Sequence, residues 1–173
     1  MAIEPFTPTQ AQLNEGIIHV CYEYANLMSA AYWDQKGAAP WRTQCDDAFL
    51  LGYRKLGDFL LNKERSSIKV SGTDREELPD ILALDYLPSG FVPTWTLEAW
   101  TKEWRSAMNK QLAHVSFIRN KSWDHRKWVP RLEAEFRETW GKFLAALDTN
   151  YQQPFADEIN RCRNKEGFPG ITL

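Results

Sequence analysis

Apolar residues return at helical intervals along most of this chain. From about Pro8 to Asp34, the residues Leu13, Ile17, Val20, Cys21, Tyr24, Leu27, Met28 and Ala31 follow one face of a 3.6-residue repeat, which predicts an amphipathic helix. Thr7 ahead of Pro8 offers an N-cap followed by a proline in the first helical position, and Gly37 with Pro40 ends the run. A second stripe of Cys45, Phe49, Tyr53, Leu56 and Leu60, widened by Leu50 and Leu61, predicts a helix from Arg42 to Asn62 with Arg54 at the edge of its apolar face. The third helix is predicted from Thr96, a capping residue with Glu98 in the positive first turn, through Leu97, Trp100, Trp104, Met108, Gln111, Leu112 and Val115. The fourth starts near Trp128 with Pro130 in its first turn and carries Val129, Leu132, Phe136, Trp140, Phe143, Leu144 and Leu147 on one face.

The connection between the second and third helices is rich in Ser, Gly, Pro and charge, and structureless loops of that length are uncommon in compact domains. A short helical element is therefore predicted within Pro79 to Leu87, where Ile81, Leu82, Leu84, Tyr86 and Leu87 supply apolar contacts. After Asp148 the periodicity weakens, so residues 149–173 read as a surface tail with one short helix around Pro154 to Arg163 packed on the bundle. No alternating strand pattern and no internal repeat competes with this reading. The expected fold is all-α: a bundle of four main helices over residues 1–148, with a long second-to-third connection that contains a short helix.

Composition narrows the picture without changing it. A chain of 173 residues fits one domain, and 43% hydrophobic residues with 8 Trp exclude disorder for the bulk and place tryptophan in the core. The balance of 21 basic against 23 acidic side chains leaves no global basic field, so any contact with nucleic acid has to be local. No apolar run approaches the roughly 18 residues of a membrane span, and the opening MAIEPFTPTQAQ has no apolar signal-peptide region. The expectation is a cytoplasmic protein with no membrane partner. Cys21, Cys45 and Cys162 are odd in number, widely spaced and free of any C-x-x-C, which predicts three inert thiols and neither a disulfide framework nor a zinc site. No cofactor is expected.

Phosphate-loop, dinucleotide, zinc-protease and nucleophile-elbow motifs are absent from the sequence. Attention falls on three histidines. His19 projects away from the first apolar stripe and is expected in solvent. His114 lies about 100° from the centre of the third apolar face, with Lys110 four residues earlier on the same flank. A boundary histidine favoured by the dipole at a helix C-terminus is the structural alternative there. Arg54, Asp80 and Asp85 read as supporting residues, with a half-buried Arg54 to Asp80 bond expected. The run from Arg119 to Lys127 is locally basic around Trp123, a pattern that can touch RNA phosphate and stack a base, or simply be a solvated loop.

Three segments carry a resemblance. The run Asn109-Lys110-Gln111-Leu112-Ala113-His114-Val115-Ser116, followed by Arg119, resembles the N-K-x-x-A-H-L-[ST] stretch of HEPN-like proteins, especially a bacterial group associated with abortive phage infection. Gly52 to Leu60 is similar to the family's AR-x-L-x-D-F-L helix, and Pro79 to Tyr86 to its DD-[IV]-x-A-x-D-[YF] segment, in the same order along the chain. With the last helix, the likeness spans roughly residues 15 to 147. It implies a helical bundle paired across a two-fold axis and, in active members, metal-independent ribonuclease activity carried by Arg, four to six residues, then His.

Histidine can exchange a proton with the ribose 2′-OH or the leaving oxygen, while a guanidinium stabilises charge growing on the phosphate. This chain departs from the signature at His114, because the positions allowed for Arg hold Ala107, Met108 and Asn109. Lys110 supplies a point charge without the bidentate fork. Arg119 and His125 make the literal match, with five residues between them; alternatively Arg119 caps the third helix and His125 enters the fourth. The implied catalytic set is thus His114, Arg119, Lys110, Asn109 and His125 in two overlapping registers. The implied partners are RNA, a second copy that brings the Lys110, His114 and Arg119 flank to a shared cleft, and an antitoxin or other protein. A non-catalytic bundle that binds RNA, a nucleotide or a protein is the competing function, favoured by the missing Arg upstream of His114.

Overall fold

Residues 7–37, 42–63, 80–98, 125–165 and 168–171 are described by this computed structural model, and their regular structure is helical throughout. The elements are α1 (Gln10–Gln35), α2 (Arg42–Leu61), a 3-10 turn (Ala83–Tyr86), α3 (His125–Ala146) and α4 (Thr149–Lys165). The architecture is an all-α bundle in which α1 is central, with its broadest contact to α2, then to α4 and α3. The third helix expected from the sequence falls mostly on residues outside the described ones. Of its expected first turn, Thr96 and Leu97 have no regular structure and Glu98 sits in a turn.

Capping chemistry moves the start of α1 from the expected Thr7 to Thr9. The spacing Thr9-x-x-Gln12 closes a reciprocal box: the Gln12 N–H donates to Thr9 Oγ1 at 3.3 Å and the Thr9 N–H donates to Gln12 Oε1 at 2.8 Å. Two orphan donors are satisfied together, which a cap at Thr7 does not achieve. At the other end the N–H groups of Lys36 and Gly37 bond to Tyr32 and Asp34 carbonyls at 3.1 and 3.0 Å, the stop expected at Gly37.

One side of α1 packs on α2 through a close backbone approach. A Cβ on Gly52 would sit 3.2 Å from Leu27 Cβ, so a larger residue there would force the helices apart. From α2, Phe49, Leu50, Tyr53, Leu56, Phe59 and Leu60 are buried, while Cys45 is half-buried. Arg54 and Asp80 are both exposed, so neither takes the half-buried position expected: Arg54 faces outward from the side of α2 opposite its core residues.

The core is aromatic. Tyr24 of α1 stacks on Trp140 of α3 with ring centroids 4.5 Å apart and planes 10° from parallel. Phe136 and Phe143 extend this column along α3, Phe59 joins from α2, and Phe155 packs edge-on to Phe143 and Tyr86 from α4. Such pairs add about 0.5–1.5 kcal/mol each beyond their area burial. The tryptophans divide: Trp140 and Trp95 are buried as expected, whereas Trp33 is 48% exposed on α1.

The short element expected between Pro79 and Leu87 is the 3-10 turn Ala83–Tyr86. Asp85 serves it structurally, since its carboxylate accepts the Leu82 N–H at 2.8 Å. Tyr86 then enters the core and donates its hydroxyl to the Leu13 carbonyl at 2.9 Å. Gly16 makes the room, because a Cβ there would lie 2.4 Å from the Tyr86 hydroxyl oxygen.

Two C-terminal expectations need correction. Helix α3 starts at His125, ahead of Trp128, so Pro130 is its sixth residue and lies exposed on the outer side. Residues 149–165 are a helix of 17 residues, longer than the short helix expected in a surface tail. Phe155, Ile159 and Cys162 on that helix are buried, as is Ile171 beyond it. The apolar positions follow 3.6-residue spacing, but Pro154 and the polar run around it hide the pattern in the sequence.

Two outcomes follow from this packing. Phe155→Ala lowers the free energy of unfolding in urea by about 3–5 kcal/mol, a core-sized loss that a surface tail would not show. Burial raises the phenols of Tyr24, Tyr53 and Tyr86 above their ordinary value of 10.0. Their protonated forms favour the native state, so this contribution is complete below about pH 10 and is lost above it as the unfolded chain ionises. In an alkaline titration at 295 nm, Tyr24, Tyr53 and Tyr86 ionise late, together with unfolding.

Candidate functional site at the start of α3

Glu98, the last described residue before position 99, is bonded to the first half of α3, the helix that His125 opens. The Glu98 N–H donates to the Glu135 carboxylate, and Arg131 donates to Glu98 Oε2 at 2.6 Å. Thr139 Oγ1 donates to the Thr96 carbonyl at 3.3 Å, one helical turn further along. His125, the first residue of α3, precedes Arg131 by six residues, about 9 Å of helix axis. Asn109, Lys110, His114 and Arg119 lie outside the described residues.

A small polar and aromatic cluster stands beside this attachment. The Arg131 guanidinium lies over the Trp128 ring, 5.5 Å from its centroid, and is also bonded to Glu98. Tyr53 of α2 donates its hydroxyl to Glu135 Oε2 at 3.2 Å. Burial first, then the Glu135 carboxylate, push the Tyr53 phenol far above its usual value, so it acts as a donor and not as an acid. The exposed Arg131 with the half-buried Trp128 can stack a base or meet a phosphate, although an anion has to compete with Glu98 for the guanidinium.

A second concave region lies between α1 and α2. It is a groove of about 530 Å³ lined by Asn26, Ser29, Ala30 and Trp33 of α1 and by Gln44, Cys45 and Ala48 of α2. Its small side chains open the space and Trp33 stands at its rim. Burial, followed by the neighbouring carboxylates of Asp34 and Asp46, raises the Cys45 thiol, which keeps it protonated and weakly nucleophilic. A smaller hollow of about 260 Å³ lies where Leu60, Lys63, Leu84 and Trp95 meet.

The remaining titratable residues have structural settings. His19 is exposed and lies 3.7 Å from Glu15 one turn away. Cys21 and Cys162 are buried, and burial raises the Cys21 thiol, reinforced by Cys162 and Glu158 against a lowering by Arg161. Among the described residues no group of three or more His, Cys, Asp and Glu is arranged to hold a metal, and no helix is long and apolar enough to cross a membrane.

Comparison of the chain with protein-family models, with curated proteins and with solved structures finds no match. The site is therefore read from its own geometry. Sequence reasoning missed the groove because Trp33 was counted with the core tryptophans. The outward position of Trp33 on the first helix was the available signal: it shares a face with Ile18 and Tyr22 and not with Leu27 or Tyr24.

The thiols give a direct check on this environment. With an aromatic disulfide reagent at pH 8, the half-buried Cys45 reacts ahead of unfolding but more slowly than an exposed cysteine, because its thiol is held protonated, while the buried Cys21 and Cys162 react only at the rate of unfolding. Cys45→Ser removes the earlier phase and leaves the later one intact.

Proposed function

We propose that this chain is a HEPN-like protein that acts on RNA, of the defence or toxin type, and that its RNA site lies at the start of α3. The carrying observation is that the described residues flanking the segment that holds Asn109, Lys110, His114 and Arg119 come together at α3: Glu98 is bonded to Arg131 beside Trp128, and His125 opens the same helix. The basic run from Arg119 to Lys127 leads directly into that helix. A local cluster of this kind is what a chain of net charge −2 needs in order to hold a polyanion.

In this reading His114 or His125 moves the proton to or from the 2′-OH and the leaving oxygen, and Arg119 with Lys110 stabilises the charge on the phosphate. Asn109 completes the set that the resemblance implies. No step calls for a metal.

The second reading is a non-catalytic bundle that binds RNA, a nucleotide or a protein partner such as an antitoxin. It is favoured by one observation: Ala107, Met108 and Asn109 occupy the positions where the signature places Arg before His114. Single-stranded RNA incubated with the purified chain in EDTA separates the two. Cleavage that persists in EDTA, peaks near neutral pH and falls by about 10²–10⁴-fold in His114→Ala or His125→Ala supports the ribonuclease. Binding that weakens in Arg119→Ala with no cleavage supports the second reading. Cleavage only with added divalent metal overturns the first, and failure to bind RNA at low salt overturns the RNA-directed role.

A further inference from the structure

Phe168, Pro169, Gly170 and Ile171 form a turn with proline in its second place and glycine in its third. Gly170 has φ +82°, the conformation that the third place of a type II turn requires. Proline presets the second place and glycine takes the left-handed third without steric cost, so this sequence favours the turn before any helix touches it. Two helices then read it residue by residue. The Phe168 ring meets Tyr22 of α1 edge-on, with centroids 5.7 Å apart. The buried Ser29 of α1 donates its hydroxyl to the Pro169 carbonyl at 3.0 Å. Arg137 of α3 donates to the Gly170 carbonyl at 2.6 Å, its guanidinium oriented by Glu133 one turn earlier at 2.7 Å. Gly170 rides so close to α1 that a Cβ would lie 2.9 Å from the Met28 carbonyl oxygen, and Ile171 is buried in the core.

We propose that this slot between α1 and α3 is a docking site for an aromatic-Pro-Gly-aliphatic turn, and that residues 168–171 are its detachable occupant, exchangeable for the same turn on a protein partner. Two consecutive carbonyls are taken by side-chain donors, an apolar anchor stands at each end, and one position admits only glycine. That is how a peptide ligand is recognised: main-chain bonds give affinity and the places between them give specificity. The donors sit on helices, so the slot keeps its shape when it is vacated. Arg137 is already paired with Glu133, so the site calls for neutral carbonyls and not for an acidic segment.

Two physical terms set the exchange. A turn that is already formed loses little entropy on docking, which favours it in the slot and equally favours the same turn offered by another chain. The occupant is tethered to α4 through Glu166 and Gly167, so it competes at an effective concentration on the order of millimolar. A partner therefore gains the slot only when that tethered turn is weakened or drawn out. The site uses none of Lys110, His114, Arg119 or His125, and it holds whether or not the chain acts on RNA.

A fluorescein-labelled peptide of residues 167–173, titrated with the full chain from about 1 µM to 1 mM, tests it. The Gly170→Ala chain, whose own turn no longer fits while the slot is unaltered, binds the peptide saturably and about tenfold more tightly than the wild type does. The peptide carrying Gly170→Ala shows no saturable binding. Arg137→Ala added to the Gly170→Ala chain weakens the wild-type peptide by about tenfold, and circular dichroism shows that both variants keep their helicity. Amide exchange reads the same question on the unaltered chain: the Ile171 N–H exchanges through a local opening, about 10²-fold or more faster than those of Tyr24 and Trp140. No saturable binding to a helical Gly170→Ala chain overturns the proposal. So does equal binding by the two peptides or to the two chains, or exchange of Ile171 only at the rate of the core.

Discussion

The face-to-face stack of Tyr24 on Trp140 is the contact around which the bundle is organised. At 4.5 Å between centroids it fixes the spacing of α1 and α3, and the rings around it bring in α2, the 3-10 turn and α4. The stack has a cost. The Trp140 indole N–H is buried and has no acceptor among the described residues, a penalty of about 1–3 kcal/mol that the ring contacts have to exceed. Tryptophan is retained there for its area, since a phenylalanine would relieve the orphan donor but leave part of the column empty.

Periodicity made α1, α2 and α3 legible because each keeps an unbroken apolar stripe for several turns. Leu132, Phe136, Trp140 and Phe143 are all buried, as their spacing requires. Boundaries were less legible. Thr7-Pro8 and Thr9-x-x-Gln12 are both good starting signals, and the choice between them rests on a side-chain bond that spacing alone does not rank. For α4 the obstacle was different: only Phe155, Ile159 and Cys162 mark its face among fourteen other residues, most of them polar. Arg54 shows the opposite error, where a charged residue beside an apolar stripe was given a buried partner and instead faces water.

The candidate site was legible only in part. Sequence motifs selected residues 109–125 from their chemistry, while the structure contributes the cluster at the start of α3: Trp128, Arg131, Glu98, Glu135 and Tyr53. The latter group joins α2, α3 and the segment before residue 99, so no local window of sequence contains it. The Tyr53 to Glu135 bond spans 82 positions, and it sits in a family-like segment whose resemblance drew attention to Arg54 next door. Likeness along a chain points to a neighbourhood, and three-dimensional contact decides which member of it does the positioning.

The burial of Ile171 has a consequence for synthesis. α1 is made before α4, yet its apolar face is completed by Phe155 and Cys162 of α4, and the Ser29 hydroxyl by the Pro169 carbonyl at 3.0 Å. At about 5–20 residues per second, roughly ten to thirty seconds separate the appearance of α1 from that of its last partners. Throughout that interval Leu27, Met28 and their neighbours are held by α2 on one side only. A chain in which α4 has not docked therefore presents an unfinished apolar face on α1, and the native core is complete only once that helix is in place.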